Sequence, residues 1–272
     1  MPCRIPTCFR SLPPNRSSMP DEPAGSEPRE GFPQAAVFVK PKRARPFFGR
    51  HPWVLDSAVL RVEGDPPAAA NVDLLTHDGQ FIGRGLFNPA SRLRVRLYSF
   101  SADVPLDDGF WETRLGAAVA LRRQLGLLGP QSACRLVNSE GDGLSGLIVD
   151  RYGDYLAVQP TALAMAERLE PICDVLQQQV RPRGILLRGA ERGLSKLEGL
   201  HLADRQLRGQ RPEGPVFIEE HGLKFGIDLT EGQKTGSYLD QRDNRQAVAR
   251  YAAGRRVLDM FCYGGGFGVA AA

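Results

Sequence analysis

An acidic residue and a run of glycines near the end of the sequence carry the clearest chemical signal. Asp259 precedes Gly264, Gly266 and Gly268, three glycines at alternate positions. Residues 256–261 form a short apolar run, which predicts a strand that leads into this glycine turn. At the carboxyl end of a strand in an α/β sheet, such a turn lets backbone N–H groups approach a ligand. Asp259 can then accept hydrogen bonds from the hydroxyls or amines of that ligand.

The spacing of the glycines narrows the choice of ligand. The dinucleotide fingerprint needs glycines at its first, third and sixth positions, but the sixth position counted from Gly264 is Val269. A phosphate-binding loop needs four residues between its glycines, whereas five residues separate Gly226 from Gly232. The remaining pattern suits a ligand that has adenosine but no pyrophosphate. A glycine-rich strand-to-helix turn without any ligand is the open alternative.

A second segment lies just before this turn. It contains Gly232-Gln233-Lys234-Thr235-Gly236 and continues with Leu239-Asp240-Gln241-Arg242-Asp243-Asn244-Arg245. The turn itself reads Tyr263-Gly264-Gly265-Gly266-Phe267-Gly268. In this order and at this spacing, the two segments resemble the PUA-domain-containing class I S-adenosylmethionine-dependent 23S ribosomal RNA (cytosine-5)-methyltransferases.

The resemblance implies that the cofactor is S-adenosylmethionine. For Arg242, an ion pair with Asp240 or Asp259 is an open alternative to a cofactor contact. The residues that the resemblance assigns to the cofactor are Gln233, Lys234, Thr235, Tyr238, Arg242, Asp259, Phe261, Tyr263, Gly264 and Gly265.

The resemblance also implies a reaction. Cytosine C5 is a poor nucleophile, so these enzymes add a cysteine thiolate to C6, which enables C5 to attack the methyl donor. In the family this cysteine lies in a later loop, so we expect it after Ala272 and expect no catalytic residue within the 272-residue chain. The sequence is then C-terminally truncated and inactive by itself, and Cys262, inside the cofactor turn, is interpreted as a residue that lines the pocket or packs there. A guanine-directed ribosomal RNA methyltransferase of the same superfamily and a non-catalytic RNA-binding remnant are the alternatives.

Composition and charge are those of a globular protein. The chain has 272 residues, 42% of them hydrophobic, and a net charge of +4, so nucleic-acid binding must come from local clusters. The five cysteines are scattered, with no CxxC pair and no zinc-ligand spacing. They predict reduced thiols, a cytoplasmic location and no metal site. No apolar run approaches the roughly 18 residues of a membrane helix, so no membrane partner is expected.

The elements that must position the site predict an α/β multidomain protein. We expect a helix from Asp107 or Asp108 to about Leu128, a hairpin over 216–229 and a helix over 240–253. The predicted parts are a disordered tail (1–36), a β-rich PUA-like barrel that binds RNA (37–104), a central α+β domain (105–215) and the incomplete beginning of a Rossmann-like S-adenosylmethionine-dependent methyltransferase domain (216–272).

Two groups of cations in the β-rich part could contact a phosphate backbone. Arg92, Arg94 and Arg96 alternate with aliphatic residues, and side chains two apart in a strand share a face, so the three would line one surface. A merely solvated strand face is the open alternative. The other group, named here the basic cluster, consists of Lys40, Lys42, Arg43, Arg45 and Arg50.

The same stretch resembles a PUA RNA-binding domain as it occurs at the front of this methyltransferase family. The resemblance implies that ribosomal RNA is the partner, and it leaves a homodimer open. Trp53 and Phe87 follow proline-marked turns within apolar runs and are interpreted as core residues. The matching segments are Gly49-Arg50-His51-Pro52-Trp53-Val54, Gly83-Arg84-Gly85-Leu86-Phe87-Asn88-Pro89 and Leu93-Arg94-Val95-Arg96.

Overall fold

The computed structural model describes residues 31–189, 198–230 and 235–272. Most of the predicted N-terminal tail lies outside the described residues, as do Gln233 and Lys234 of the predicted cofactor site. Within the described ranges the strands form two larger sheets and one hairpin. No helix in these ranges is both long and apolar enough to cross a membrane.

The N-terminal sheet has six strands in the order β2-β6-β5-β4-β1-β3. All neighbouring strands are antiparallel except β1 and β4, which are parallel. Its core includes Val37, Val54, Val72, Leu74 and Val95, all fully buried. Its elements are β1 Ala36–Val39, α1 Arg45–Phe48, β2 Trp53–Leu55, β3 Val59–Glu63, β4 Asn71–Leu75, β5 Phe81–Phe87 and β6 Leu93–Ser99.

The central sheet has five strands in the order β11-β10-β9-β8-β7, and its β9 and β10 are parallel. Two helices, α2 and α4, pack against each other and against this sheet. Leu86 and Tyr98 of the N-terminal sheet belong to the same apolar core as these helices. The elements are α2 Asp108–Gln124, β7 Ala133–Asn138, β8 Leu147–Tyr152, β9 Tyr155–Pro160, α3 Leu163–Ala166, α4 Leu169–Val180, β10 Gly184–Leu187 and β11 Arg205–Gly209.

Helix α2 begins where the sequence predicts and ends earlier. The Asp107 side chain caps it by accepting a hydrogen bond from the Phe110 N–H at 2.8 Å. The helix ends at Gln124 because Gly126 takes a left-handed conformation, with φ of 69°. Glycine adopts this conformation at helix ends without steric cost, so Leu125 and Gly126 form a turn and the two residues up to Leu128 are not helical.

The C-terminal part begins with the predicted hairpin, which turns at His221 and Gly222 with φ of 52° and 82°. Side chains from the hairpin pack on Tyr152 and Tyr155 of the central sheet. The predicted helix is confirmed as α5, and a short helix α6 follows the glycine turn. The bounds are β12 Val216–Glu220, β13 Leu223–Ile227, α5 Arg242–Ala252 and α6 Gly266–Ala271.

The strand predicted over 256–261 is not formed, and this prediction was wrong. Leu258 is 83% exposed and Phe261 is 98% exposed. A strand of a parallel sheet is held by hydrogen bonds to its neighbours and by burial of both faces. No strand among the described residues lies beside 256–261, so its apolar pattern alone does not make a strand.

Two Gly→Ala substitutions should change stability in opposite directions. At Gly85 in β5, a Cβ would lie 2.8 Å from Cγ1 of Val95 and would overlap the backbone carbonyl of Arg96, so Gly85→Ala should cost about 1–3 kcal/mol. At Gly116 in α2, a Cβ meets no atom within 4 Å, so Gly116→Ala should add about 0.5–1 kcal/mol through helix propensity. Urea unfolding of both variants checks this, and equal effects of the same sign would contradict the packing described for β5.

Candidate functional site

A cleft of about 760 Å³ lies between the β12–β13 hairpin, the start of α5 and the glycine turn. This volume is within the range of pockets that bind small organic ligands. Its wall includes Tyr238, Arg245, Asp259, Tyr263 and Gly264. The hairpin and the turn thus bring residues far apart in sequence to one place.

The glycine turn has a strained backbone. Phe261 and Tyr263 have φ of 60° and 50°, a left-handed conformation that bulky residues rarely adopt. Oδ2 of Asp259 accepts a hydrogen bond from the Gly268 N–H at 2.9 Å, which ties the segment before the turn to α6. A Cβ built on Gly264 meets no atom within 4 Å, so the space above this glycine is open. Backbone strain of this kind concentrates at ligand-binding sites.

Two tyrosines meet across the cleft. The rings of Tyr238 and Tyr263 are 5.6 Å apart between centroids and cross at 78°, an edge-to-face contact. Both side chains line the cleft. Aromatic faces at such a site can hold a flat heterocycle by stacking or a cation by its attraction to the ring.

A buried ion pair closes one side of the cleft. Glu220 in β12 accepts a short hydrogen bond from Nη2 of Arg245 in α5, and the two side chains are 5% and 12% exposed. Arg245 also donates to the Tyr238 carbonyl at 3.4 Å and lies 5.7 Å from the Phe225 ring centroid. The pair holds α5 against the hairpin and fixes the cleft wall.

Five of the residues predicted for the cofactor line this cleft together: Tyr238, Asp259, Phe261, Tyr263 and Gly264. Three others, Thr235, Arg242 and Gly265, are not part of its wall. Thr235 is buried against the central sheet, and Arg242 pairs with Asp243 at 3.3 Å rather than with Asp240 or Asp259.

Glu220 is a site residue that sequence reasoning missed. The alternation in β12 was the available signal, because Ile218 and Glu220 share a face and are 1% and 6% exposed, whereas Phe217 on the opposite face is 63% exposed. A charged residue on the apolar face of a hairpin indicates a buried partner. The partner itself, Arg245, could not be identified from the strand pattern.

The basic cluster lies on the surface around α1. All five of its side chains belong to exposed residues, and Lys40 donates to the Ser57 carbonyl at 3.0 Å. Arg92 is exposed, and Arg94 is half-buried and donates to the Pro89 carbonyl.

Arg96 does not share the exposed surface predicted for the three alternating arginines, and this part of the prediction was wrong. Its side chain is 8% exposed, donates to Oγ of Ser145 at 2.9 Å and pairs with Glu198 at 3.0 Å. Ser145 and Glu198 cover this face of β6, so the arginine forms a buried ion pair instead of facing solvent.

The prediction that Trp53 is a core residue was wrong, whereas Phe87 is buried as predicted. Trp53 is 41% exposed because β2 is an edge strand, and its indole N–H donates to Oε1 of Glu140 at 2.9 Å. Burial by itself raises the pKa of Glu140, but the hydrogen bonds from Ser145, Ser139 and Trp53 outweigh it and hold the pKa below its ordinary value. An exposed indole therefore stands in a fixed orientation beside a carboxylate.

Comparison with protein families identifies two domains. A model described as a PUA-like domain matches residues 37–100. A model described as an S-adenosylmethionine-dependent methyltransferase matches residues 203–272. The chain therefore carries both kinds of domain, and the predicted fold class and the predicted cofactor are confirmed.

The chain is homologous to ribosomal RNA large subunit methyltransferases I. It is 39% identical over 240 residues to the protein from Shewanella amazonensis and 38% identical over 241 residues to that from Shewanella denitrificans. Each match covers 87% of this chain and 59% of the relative, so the chain spans less than two thirds of the length of these curated relatives. A solved structure described as a putative S-adenosylmethionine-dependent methyltransferase, from Streptococcus mutans, has the same fold, with a TM-score of 0.72, 22% identity and coverage of 87% of this chain and 60% of that one.

Removing the buried carboxylate at the cleft should destabilise the protein far more than removing an exposed one. Glu220→Ala leaves the buried guanidinium of Arg245 without its ion-pair partner, which should cost about 3–5 kcal/mol. The control is Glu63→Ala, because Glu63 pairs with Arg61 at the surface with side chains 56% and 44% exposed, and its loss should cost less than about 1 kcal/mol. Urea unfolding measures both, and equal losses would contradict the buried pair.

Proposed function

We propose, on the premise of this homology to the ribosomal RNA large subunit methyltransferases I, that the chain binds S-adenosylmethionine in the cleft and forms the cofactor-binding part of an enzyme that methylates large-subunit ribosomal RNA. The observation that carries the proposal is the cleft itself, which places Asp259, Tyr238 and Tyr263 around one space of about 760 Å³. The methyltransferase family model matches the same part of the chain.

The residues around the cleft fit this cofactor. When bound, it supplies an electrophilic methyl group. Asp259 would accept hydrogen bonds from the ribose hydroxyls, and the open space above Gly264 lets the backbone approach the ligand. Tyr238 and Tyr263 would contact the adenine ring or the sulfonium charge. Phe261, the fifth predicted residue in the wall, would cover the ligand from the turn.

We propose cytosine C5 as the methylated atom, activated by a thiolate that adds to C6. The segment from Gly232 to Gly236 ahead of the glycine turn supports this choice. Cys134 and Cys173 are unsuited to be that thiolate, because both are buried and burial raises the pKa of both, that of Cys173 to about 11. Cys262 lines the cofactor cleft, where it would contact the cofactor rather than the base.

We propose that the basic cluster and Arg92 contact the RNA backbone. The five exposed cations of the basic cluster lie within one short stretch around α1. Exposed cations attract the phosphates of nucleic acids without sequence preference. Trp53 stands three residues after Arg50 with its ring partly exposed, so an unpaired base could stack on it. Such an enzyme would work in the cytoplasm on ribosomal RNA, and the homodimer stays a prediction.

Cofactor binding is tested by titrating the protein with S-adenosylhomocysteine in a calorimeter. Tyr263→Ala should weaken binding by about tenfold, because it removes an aromatic wall of the cleft. The matched control is Tyr251→Ala, since Tyr251 is 78% exposed on α5 and does not line the cleft. A wild-type protein that binds no S-adenosylhomocysteine would overturn the assignment of the cleft.

The methylated base is identified by nucleoside analysis of large-subunit RNA after incubation with radiolabelled S-adenosylmethionine. If RNA is labelled, label in 5-methylcytosine supports the cytosine assignment, and label in a methylated guanosine would replace it by the guanine alternative. Cofactor binding without any methyl transfer is the result expected of a chain that lacks the thiolate, and RNA binding without cofactor binding would favour the RNA-binding remnant.

The basic cluster should control the salt dependence of RNA binding. Arg45→Ala and Arg50→Ala should each weaken binding and lower the slope of log K against log salt by about one. Arg123→Ala, which removes an exposed arginine on α2, serves as the control and should leave the slope unchanged. Filter binding at several salt concentrations measures the slopes. Equal slopes in all three variants would show that the basic cluster is not the surface that binds RNA.

A further inference from the structure

Strand β8 of the central sheet directs two buried polar side chains toward the C-terminal part of the chain. Asp150 and Tyr152 are two positions apart, so they lie on the same face of the strand, and both are fully buried. Oδ1 and Oδ2 of Asp150 accept hydrogen bonds from Arg135 at 2.9 and 3.0 Å. A buried carboxylate needs its further lone pairs satisfied as well.

The segment from Thr235 to Ser237 supplies hydrogen-bond partners for Asp150 and Tyr152. Oγ1 of Thr235 donates to Oδ2 of Asp150 at 2.5 Å. The Ser237 N–H donates to the hydroxyl of Tyr152 at 3.0 Å, and the same hydroxyl lies 3.5 Å from Oγ1 of Thr235. Burial raises the pKa of Tyr152 to about 12, so its hydroxyl stays protonated at neutral pH and keeps both contacts. Thr235 and Ser237 are two positions apart, and so are their partners Asp150 and Tyr152. The segment therefore runs alongside β8.

Gly236 shows how closely the segment lies on the strand. Its φ is 145°, a conformation that side chains disfavour. A Cβ at this position would lie 2.9 Å from Cδ2 of Leu229, 3.1 Å from Cγ2 of Ile227 and 3.2 Å from Cζ of Tyr152. Any side chain here would push the segment away from Ile227 and Leu229 and from Tyr152 of β8.

The opposite side of the same segment forms part of the cleft. Gly236, Ser237 and Tyr238 line it, and Tyr238 contacts Tyr263 across it. Thr235, which the family resemblance assigns to the cofactor, is 1% exposed and donates to Asp150 instead. Its contact with Asp150 therefore acts on the cleft through the backbone of the next three residues.

We propose that Asp150 and Tyr152 are positioning residues of the cofactor site, and that Thr235 and Ser237 transmit the position of β8 to the cleft wall at Tyr238. The central domain then contributes to cofactor binding without contacting the cofactor. This inference rests on the proposed function, because it assumes that the cleft holds S-adenosylmethionine.

Tyr152→Phe tests the proposal, because it removes a single hydroxyl and keeps the packed ring. The dissociation constant for S-adenosylhomocysteine should rise by about tenfold, and the Ser237 amide should lose protection from hydrogen exchange in the ligand-free protein. Tyr155→Phe is the matched control: Tyr155 pairs with Tyr152 across the β8–β9 ladder, is buried, and has its ring under Arg183. This control should bind like the wild type.

A second pair of variants separates positioning from a general loss of stability. Thr235→Val keeps the shape and removes the hydroxyl that Asp150 accepts from, so it should weaken binding, whereas Thr235→Ser keeps the hydroxyl and should bind within about twofold of the wild type. Binding is measured well below the melting temperature of each variant, so that all are folded.

The outcomes distinguish this inference from the proposed function. If the wild type binds no S-adenosylhomocysteine, the proposed function fails and the positioning role fails with it. If the wild type binds, and Tyr152→Phe and Thr235→Val bind equally well, only the positioning role is overturned. Weak binding by Thr235→Ser to the same extent as Thr235→Val would also overturn it, because the hydroxyl would then not be the cause.

Discussion

A buried carboxylate is the constraint on which the C-terminal part of the structure depends. Asp150 is fully buried in the central sheet and accepts hydrogen bonds from Arg135 and Thr235. A charge in the protein interior is tolerated only with such partners, because the loss of hydration must be offset by ion pairing and hydrogen bonds. The segment that contains Thr235 is therefore held on β8, and the cleft wall that follows it has a defined position.

Buried polar groups that satisfy each other's hydrogen bonds also connect the two larger sheets. Arg96 reaches from the N-terminal sheet to Ser145, just before β8, and to Glu198, and the Tyr98 hydroxyl donates to the Ser145 carbonyl at 2.6 Å. Leu86 and Tyr98 also share the apolar core of α2, α4 and the central sheet. Strand β8 thus holds the cleft wall at its C-terminal end, through Asp150 and Tyr152. Just before its start, at Ser145, the chain is fixed to the N-terminal sheet, which belongs to the domain that carries the basic cluster.

Local patterns were sufficient for most of the elements. A capping Asp107 predicts the start of α2, turn residues at His221 and Gly222 predict the hairpin, and the helix predicted over 240–253 forms as α5. The segment over 256–261 shows the limit of this reasoning, since an apolar run becomes a strand only when neighbouring strands accept and donate its backbone hydrogen bonds. For the site, the acidic residue, the glycines and the tyrosines were identified together, because they belong to two short contiguous segments.

The sequence by itself determined most of the elements, the class of cofactor and the half of the cleft that comes from those two segments. Only the tertiary structure decided which polar side chains face inward. Thr235 bonds to Asp150 across 85 positions and Arg96 pairs with Glu198 across 102, so neither contact is visible in a local pattern. Alternation along a strand shows which side chains share a face, but what covers that face depends on packing between elements distant in sequence. For this reason Arg96 and Thr235 proved to be buried partners, and Trp53 on its edge strand proved to be exposed.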